Sequence, residues 1–230
     1  MAEGMLPMDN KKLFLLVGLI FTVILAFSGG CSSQVSCKSP KAAEGILDLT
    51  QRQLDEKVIR LDGQWEFYWN QLLTSQKLKE TGVLNAKWID IPSSWNRYKI
   101  NDKQLSGDGY ATYRLLIKTK EVEKLGIKIP RIFTAYKIWV NDELVATAGK
   151  VGKSRETMTP QYLPQVALFE SQQGNNEILI QVSNFYHRSG GILESLLIGS
   201  EKQIMRLRYK SIAYELFISG SLMITGAYHL

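Results

Sequence analysis

A chain of 230 residues, 45% of them hydrophobic, is long enough for one domain with a buried core and some accessory segments. Lysine and arginine number 28 against 22 acidic residues, which gives a formal net charge of +6. The basic residues are not clustered with stacking aromatic residues, and this argues against a nucleic-acid-binding protein. The two cysteines are too few for a disulfide framework or a zinc site.

The N-terminus has the pattern of a secretory signal. Lys11 and Lys12 precede an unbroken apolar run at residues 13–27, and small residues follow it. This run is short for a membrane-spanning helix, which needs about 20 apolar residues. The pattern therefore predicts export, with residues 1–31 acting as a signal peptide or as a membrane or lipid anchor.

Cys31 is a candidate lipidation site. The sequence SGGC that ends at this residue resembles a bacterial lipoprotein cleavage site, although Ser28 occupies a position where that pattern prefers leucine. An ordinary signal peptide and an uncleaved anchor remain open alternatives. If neither cysteine is lipidated, Cys37 could pair with Cys31, because the exported compartment permits disulfides.

The next segments in chain order are a tether and the first strands. Residues 32–60 are polar and mixed, and are predicted to form the tether. The aromatic sequence QWEFYW at 64–69 and the sequence KWIDIP at 87–92 are typical of strands. Between them, residues 70–80 are predicted to form a short helix with Asn70 as its N-cap.

The middle of the chain alternates as strands do. Tyr113, Leu115 and Ile117 share one face of the pattern at 110–118, and 176–184 and 192–199 are predicted as further strands. Residues 133–149 have the pattern of a hairpin. The predicted inward side chains of the hairpin and of the 176–184 strand are Tyr136, Ile138, Val140, Ile178, Ile180 and Val182, and the predicted turn residues are Asn141 and Asp142.

These elements predict an all-β sandwich. Strands do not alternate with helices, which argues against a dinucleotide-binding fold. The long connection at 149–164 can cross between two sheets, and this favours a jelly roll of the galactose-binding-domain type. We therefore predict a jelly-roll domain at residues 61–205.

A second apolar segment, at residues 211–230, is about as long as a membrane-spanning helix. We predict that residues 206–230 begin a transmembrane region, with Glu215 near the interface. An amphipathic helix docked on the domain is the alternative. If residues 38–205 are exported, the basic sequence RLRYK at 206–210 lies outside the cell, against the usual preference of basic residues for the cytoplasmic side of a span.

Several sequences together resemble a known family. They are LDGQWEFYW, IPSSWN, GYATYRLLI, AYKIWVNDELVATAGKVG, NEILIQVSNFYHRSGG and LLIG, in this order across residues 61–199. They resemble the extracytoplasmic jelly-roll domain of bacterial seven-transmembrane receptors with diverse intracellular signalling modules. More distantly, they are similar to the sugar-binding domain of family-2 glycoside hydrolases.

The resemblance implies a sensor of a small ligand, often supposed to be a carbohydrate, that acts in the cell membrane with residues 32–210 outside the cytoplasm. It also implies that the chain is an N-terminal fragment, that any catalytic output module lies beyond residue 230, and that a homodimer could form through the membrane region. No cofactor or metal is expected. An accessory β-domain of a glycoside hydrolase, and a surface lipoprotein without a ligand, remain the alternatives.

Polar and aromatic residues at predicted strand ends are the candidate ligand contacts, because sugars are bound by aromatic faces together with amide and charged groups. The candidates are Trp95, Asn96, Tyr110, Asn184, His187 and Arg188. Two other roles of the His187 loop remain open: it could be a purely structural turn, or it could dock on the membrane region. We find no nucleophile motif, phosphate loop or pair of carboxylates suited to catalysis, so the chain is not expected to be an enzyme.

Overall fold

A computed structural model of the protein describes residues 39–51, 54, 57–81 and 86–228. The internal contacts divide the chain into Met1–Lys38 and Ser39–Leu230, and every described residue belongs to the second unit. The predicted signal or anchor at residues 1–31, including Cys31, lies outside the described residues.

The described residues form mostly strands. In chain order these are β1 (Ile46–Asp48), β2 (Ile59–Arg60), β3 (Gly63–Trp69), β4 (Lys87–Ile91), β5 (Ser93–Ser94), β6 (Lys99–Ile100), β7 (Lys103–Gln104), β8 (Gly109–Thr119), β9 (Lys124–Ile129), β10 (Ala135–Val140), β11 (Glu143–Ala148), β12 (Gln165–Glu170), β13 (Gly174–Asn184), β14 (Gly191–Ile192) and β15 (Leu197–Ser200). The helices are α1 (Ser75–Thr81), α2 (Glu201–Tyr228) and a 3-10 turn (Trp95–Arg97).

Two antiparallel sheets carry the fold within this described part. Sheet A has the order β11-β10-β13-β8-β3-β4, and β1 adds to it by pairing in parallel with β8. Sheet B has the order β12-β9-β15-β2. Two short pairs, β5 with β14 and β6 with β7, form outside these two sheets.

Side chains of both sheets share one hydrophobic core. Tyr113, Leu115 and Ile117 of β8 are buried, as the alternation predicts, and so are the predicted inward residues of β10 and β13. Ile127 and Ile198 face them from sheet B. The prediction of an all-β sandwich is thereby confirmed, and the finer jelly-roll assignment stays a prediction.

The predicted hairpin is also confirmed. β10 and β11 pair in antiparallel fashion around Asn141 and Asp142, whose φ angles of 49° and 70° are those of a two-residue turn that follows the twist of the strands. The predicted last strand at 192–199 is wrong in detail, because it divides into β14 and β15. These two strands pair with different partners, β5 and β9.

The helix predicted at 70–80 begins later than expected. Asn70 has a φ of 55° and turns the chain after β3, so it is not the helix cap. Leu73 donates its backbone N–H to the Thr112 hydroxyl, and its carbonyl accepts from the Gln181 amide. These bonds hold the chain extended on the outer face of sheet A until α1 begins at Ser75.

The segment predicted as a tether contributes to both sheets. β1 pairs with residues 116–118 of β8, and β2 pairs with Leu197 and Ile198 of β15. These strands are three and two residues long, too short to show a period in the sequence. The folded domain therefore starts before residue 61.

The first turn of α2 is fixed to the outer face of sheet B. Gly126 of β9 and Gly199 of β15 are register partners, so two neighbouring positions on this face lack side chains. A Cβ atom added to Gly126 would lie 3.0 Å from the Cβ of Ile204, which is fully buried there. Gln203 accepts a hydrogen bond from the Ser200 N–H. Beyond residue 207 the side chains of α2 are mostly exposed.

The transmembrane helix predicted within 206–230 is not found among the described residues. Over residues 39–51, 54, 57–81 and 86–228, the structure has no helix that is both long and apolar enough to cross a membrane. α2 has 28 residues, but Glu215 and several serine and threonine residues are interspersed among its apolar side chains.

A charged cluster occupies the outer face of sheet A. Arg114 of β8 lies 2.9 Å from Glu66 of β3 and 2.5 Å from Glu177 of β13, and all three side chains are largely buried. The Tyr68 hydroxyl donates to Glu66 over 2.7 Å. Burial, followed by this hydrogen bond, raises the pKa of Tyr68.

Candidate functional site

Five loops meet at one end of the sandwich. Strand pairing places them there, because Asn184 at the end of β13 lies opposite Gly109 at the start of β8, and Gln165 lies opposite Ile129. We call this region the loop end. Its loops are residues 94–97, 106–108, 131–134, 149–164 and 184–194. α2 begins at the opposite end, where Ser200 lies opposite Leu125.

Asn184 holds two of these loops together. Its side chain is fully buried, and its amide nitrogen donates to the carbonyls of Gly107 and His187, at 2.8 and 2.6 Å. Its amide oxygen accepts from the His187 N–H at 3.1 Å. The structure therefore places Asn184, a predicted ligand contact, within the hydrogen bonds that join these loops. We call this set of bonds the frame of the loop end.

Asn96 links a third loop to the same frame. Its amide nitrogen donates to the Arg188 carbonyl at 3.1 Å, and its amide oxygen accepts from the Gly190 N–H at the same distance. The Ser94 hydroxyl also donates to this oxygen. The polar groups of Asn96 are thus engaged in bonds that connect loops far apart in sequence.

Trp95 lies beneath the loop end, with no exposed surface. Its indole N–H donates to the Ser106 carbonyl over 2.9 Å, and its ring meets the Trp69 ring edge to face at 5.2 Å. A Cβ on Gly190 would lie only 2.1 Å from the Trp95 ring, so glycine is required at this position. In this structure Trp95 supports the loop and presents no ring face to solvent.

An exposed row of rings lies above this frame. The Phe133 ring stacks on the His187 ring with centroids 4.5 Å apart, and meets the Tyr162 ring edge to face at 5.4 Å. Tyr162 is 48% exposed, and the other two are partly exposed. We call Tyr162, Phe133 and His187 the aromatic row. His187 Nδ1 lies 2.8 Å from the Ser189 carbonyl oxygen, which fixes the orientation of the imidazole.

A second aromatic contact borders the row. The guanidinium of Arg155 lies 4.7 Å above the ring of Tyr186, and Tyr186 is half exposed. The Tyr186 hydroxyl donates to the Arg155 carbonyl at 3.4 Å. The exposed Arg188 follows His187 in the same loop.

Tyr110 lies at the same end of sheet A, opposite Ser183, but faces the outer side of the sheet. It alternates with the buried Tyr113 along β8, which places it on the outer face of sheet A. Its carbonyl accepts from the Asn70 N–H. The structure thus gathers Trp95, Asn96, Asn184, His187 and Arg188 at one end, and the predicted ligand contacts of all six residues stay predictions.

Sequence reasoning missed four residues of the site: Phe133, Tyr162, Arg155 and Tyr186. All four lie in loops, where no hydrophobic period marks a direction. One available signal was the position of Tyr162 in the long 149–164 connection, because an aromatic residue outside a strand has no sheet face to fill.

Acidic groups are sparse at the loop end. Glu194 lies 3.6 Å from Arg131, and Asp108 and Glu156 are exposed. A hydrogen bond from Ser154, together with smaller contributions that include the charge of Arg155, lowers the pKa of Glu156. Among the described residues, the structure has no group of three or more His, Cys, Asp or Glu side chains suited to a metal ion.

Comparisons with known proteins give distant structural similarity alone. No family model matches the chain, and no curated protein matches it. A β-glucuronidase from an uncultured Clostridium species matches 63% of this chain with 29% of its own, at 14% identity and a TM-score of 0.47. The Ruminococcus gnavus β-glucuronidase also matches 63% of this chain with 29% of its own, at 14% identity, and its TM-score is 0.45.

A family-2 β-galacturonidase from Eisenbergiella tayi matches 63% of this chain with 24% of its own, at 12% identity and a TM-score of 0.43. The chain spans less than a third of the length of these enzymes. The predicted distant similarity to family-2 glycoside hydrolases is therefore found at the level of structure. The resemblance to the seven-transmembrane receptors stays a prediction.

Proposed function

We propose that the protein is a non-catalytic, carbohydrate-binding β-sandwich domain that acts outside the cytoplasm. The aromatic row of Tyr162, Phe133 and His187 carries this proposal. Rings held side by side at a surface offer flat apolar faces to the C–H groups of a sugar, while the hydroxyl and imidazole edges can bond sugar hydroxyls. The row is exposed even though each ring is held by neighbours, so little ordering is needed on binding.

The frame beneath the row supports the same proposal. Asn184 and Asn96 together join three loops, 94–97, 106–108 and 184–194, which holds the loop that carries His187 in place before a ligand arrives. Binding sites are commonly placed on loops held by a rigid scaffold in this manner.

The acidic groups favour binding over glycoside hydrolysis. A glycosidase needs a carboxylic acid whose pKa is raised so that it can donate a proton. At the loop end the pKa of Glu156 is instead lowered, and Glu194 is engaged with Arg131. These groups fit surface roles better than proton transfer.

Tyr162→Ala tests the proposal. We expect the full chain to bind at least one member of a panel of mono- and oligosaccharides, and this substitution to weaken binding about tenfold through the loss of one ring contact. Thermal midpoint shifts and calorimetric titration measure the effect. The unfolding midpoint without sugar should stay unchanged, since Tyr162 is half exposed.

Tyr209→Ala is the matched control. Tyr209 is 62% exposed on α2, away from the loop end, so its loss should leave sugar binding intact. Equal weakening by both substitutions would argue against the aromatic row as the site. Failure of every sugar in the panel to shift the midpoint would overturn the proposed function.

A sensory role is the second candidate, and the position of α2 favours it. Only β14 and β15 separate the His187 loop from the first turn of α2, which is fixed to sheet B. A ligand that favours one arrangement of the loop could thereby bias the helix.

The N-terminal pattern around Cys31 supports the placement of the domain on the extracytoplasmic side. In intact cells, the His187 loop should be cleaved by added protease. Protection until the cells are lysed would contradict this placement.

A further inference from the structure

The charges of the loop end are unequal. Its five loops hold six basic residues and three acidic ones, which are Arg97, Arg131, Lys150, Lys153, Arg155 and Arg188 against Asp108, Glu156 and Glu194. Their difference is +3, half of the net charge of the chain, on a small part of its surface. A surface of this sign attracts anionic ligands and raises their local concentration.

Arg155 differs from Arg131, another basic residue of the loop end, in forming no ion pair with a carboxylate. The guanidinium of Arg131 lies 3.6 Å from the carboxylate of Glu194, so Arg131 already forms an ion pair. Arg155 forms no ion pair with any described residue, although its charge contributes to lowering the pKa of Glu156, the next residue in sequence. Its guanidinium is held over the Tyr186 ring, which orients the planar group and leaves its N–H donors unengaged by protein carboxylates.

We infer that the carbohydrate bound at the loop end is acidic, with the carboxylate of a uronic acid residue bound by Arg155 and Arg188 while the aromatic row takes the face of a sugar ring. This inference rests on the proposed function and names its ligand class. A guanidinium matches a carboxylate with two parallel hydrogen bonds, which gives a specificity that a point charge lacks. Sulfated sugars share the negative charge, and the experiment separates them from uronates.

The test compares one oligosaccharide in two forms. The full chain is held in a detergent whose head group is not a sugar. It is titrated with a trisaccharide that ends in glucuronate, and with the same trisaccharide after reduction of the carboxyl to an alcohol. We expect the acidic form to bind about tenfold more tightly, and this advantage to shrink as salt is raised. A sulfated neutral trisaccharide should bind less tightly than the uronate.

Arg155→Gln should abolish the preference for the acidic form, and Arg155→Lys should retain only part of it. Arg131→Gln is the matched control, because it removes the same charge from a residue that is already paired. A preference lost equally in both Gln variants would overturn the role of Arg155, since it would show a general charge effect.

The outcomes separate the two proposals. Equal binding of the acidic and neutral trisaccharides would overturn this inference and leave the proposed carbohydrate-binding function standing. Tighter binding of the sulfated sugar than of the uronate would overturn the assignment to a carboxylate. Binding to vesicles of anionic phospholipid without binding to any of the sugars would overturn both proposals.

Discussion

Replacing Trp95 by alanine is expected to lower the free energy of unfolding by about 3–5 kcal/mol, the usual cost of removing a large buried aromatic side chain. The indole is fully buried, its N–H bonds the Ser106 carbonyl, and Gly190 lies against its ring. Urea denaturation of the full chain measures the loss. Sugar binding should fall as well, because the loop that carries His187 loses its support.

Trp95→Phe is the graded control. It keeps an aromatic ring against Gly190 and removes the hydrogen bond to Ser106, so we expect a smaller loss of stability and a largely retained loop. Trp95→Ala with unchanged stability and abolished sugar binding would contradict the buried role, and would indicate instead that the indole contacts the ligand.

Arg114→Met is expected to destabilise the fold by about 3 kcal/mol, because it leaves the carboxylates of Glu66 and Glu177 close together and largely out of water. The side chain of Arg114 is 16% exposed, so solvent can screen these charges only in part. Sugar binding should be retained at ligand concentrations and temperatures where the variant is folded, since the cluster lies away from the aromatic row. Denaturation and titration on the same preparation separate the two effects.

Two controls sharpen this expectation. Lys79→Met removes the basic partner of the exposed Asp142, and exposed pairs contribute little to stability, so we expect no measurable loss. The triple variant Glu66→Gln, Arg114→Met, Glu177→Gln should recover much of the stability that Arg114→Met loses, since no unpaired charge is left behind. A loss as small for Arg114→Met as for Lys79→Met would contradict the buried cluster.

The sandwich and most of its long strands could be predicted from the sequence, because alternation marks a strand with one buried face. Tyr113, Leu115 and Ile117 illustrate this, as does the turn at Asn141 and Asp142. The two- and three-residue strands β2 and β1 could not be predicted. A pairing so short depends on the partner strand and leaves no pattern of its own.

The site could be predicted only in part. The ends of strands pointed to Asn96, Asn184 and His187, which do meet at one end of the sandwich. Phe133 and Tyr162 could not be placed beside His187, since they are brought together by loops whose course follows no period. Trp95 leaves the regular strand, which suggested exposure, yet its 3-10 turn directs the ring inward under Gly190.

The glycine pair under the first turn of α2 has a mechanical consequence. Because Ile204 packs against Gly126 and Gln203 packs against Gly199, the start of the helix follows sheet B as one body. A helix of 28 residues is about 42 Å long, so a tilt of about 5° at its base moves its far end by about 4 Å. A rotation of the sheet too small to break a ladder hydrogen bond would thus become a displacement comparable to the width of a side chain.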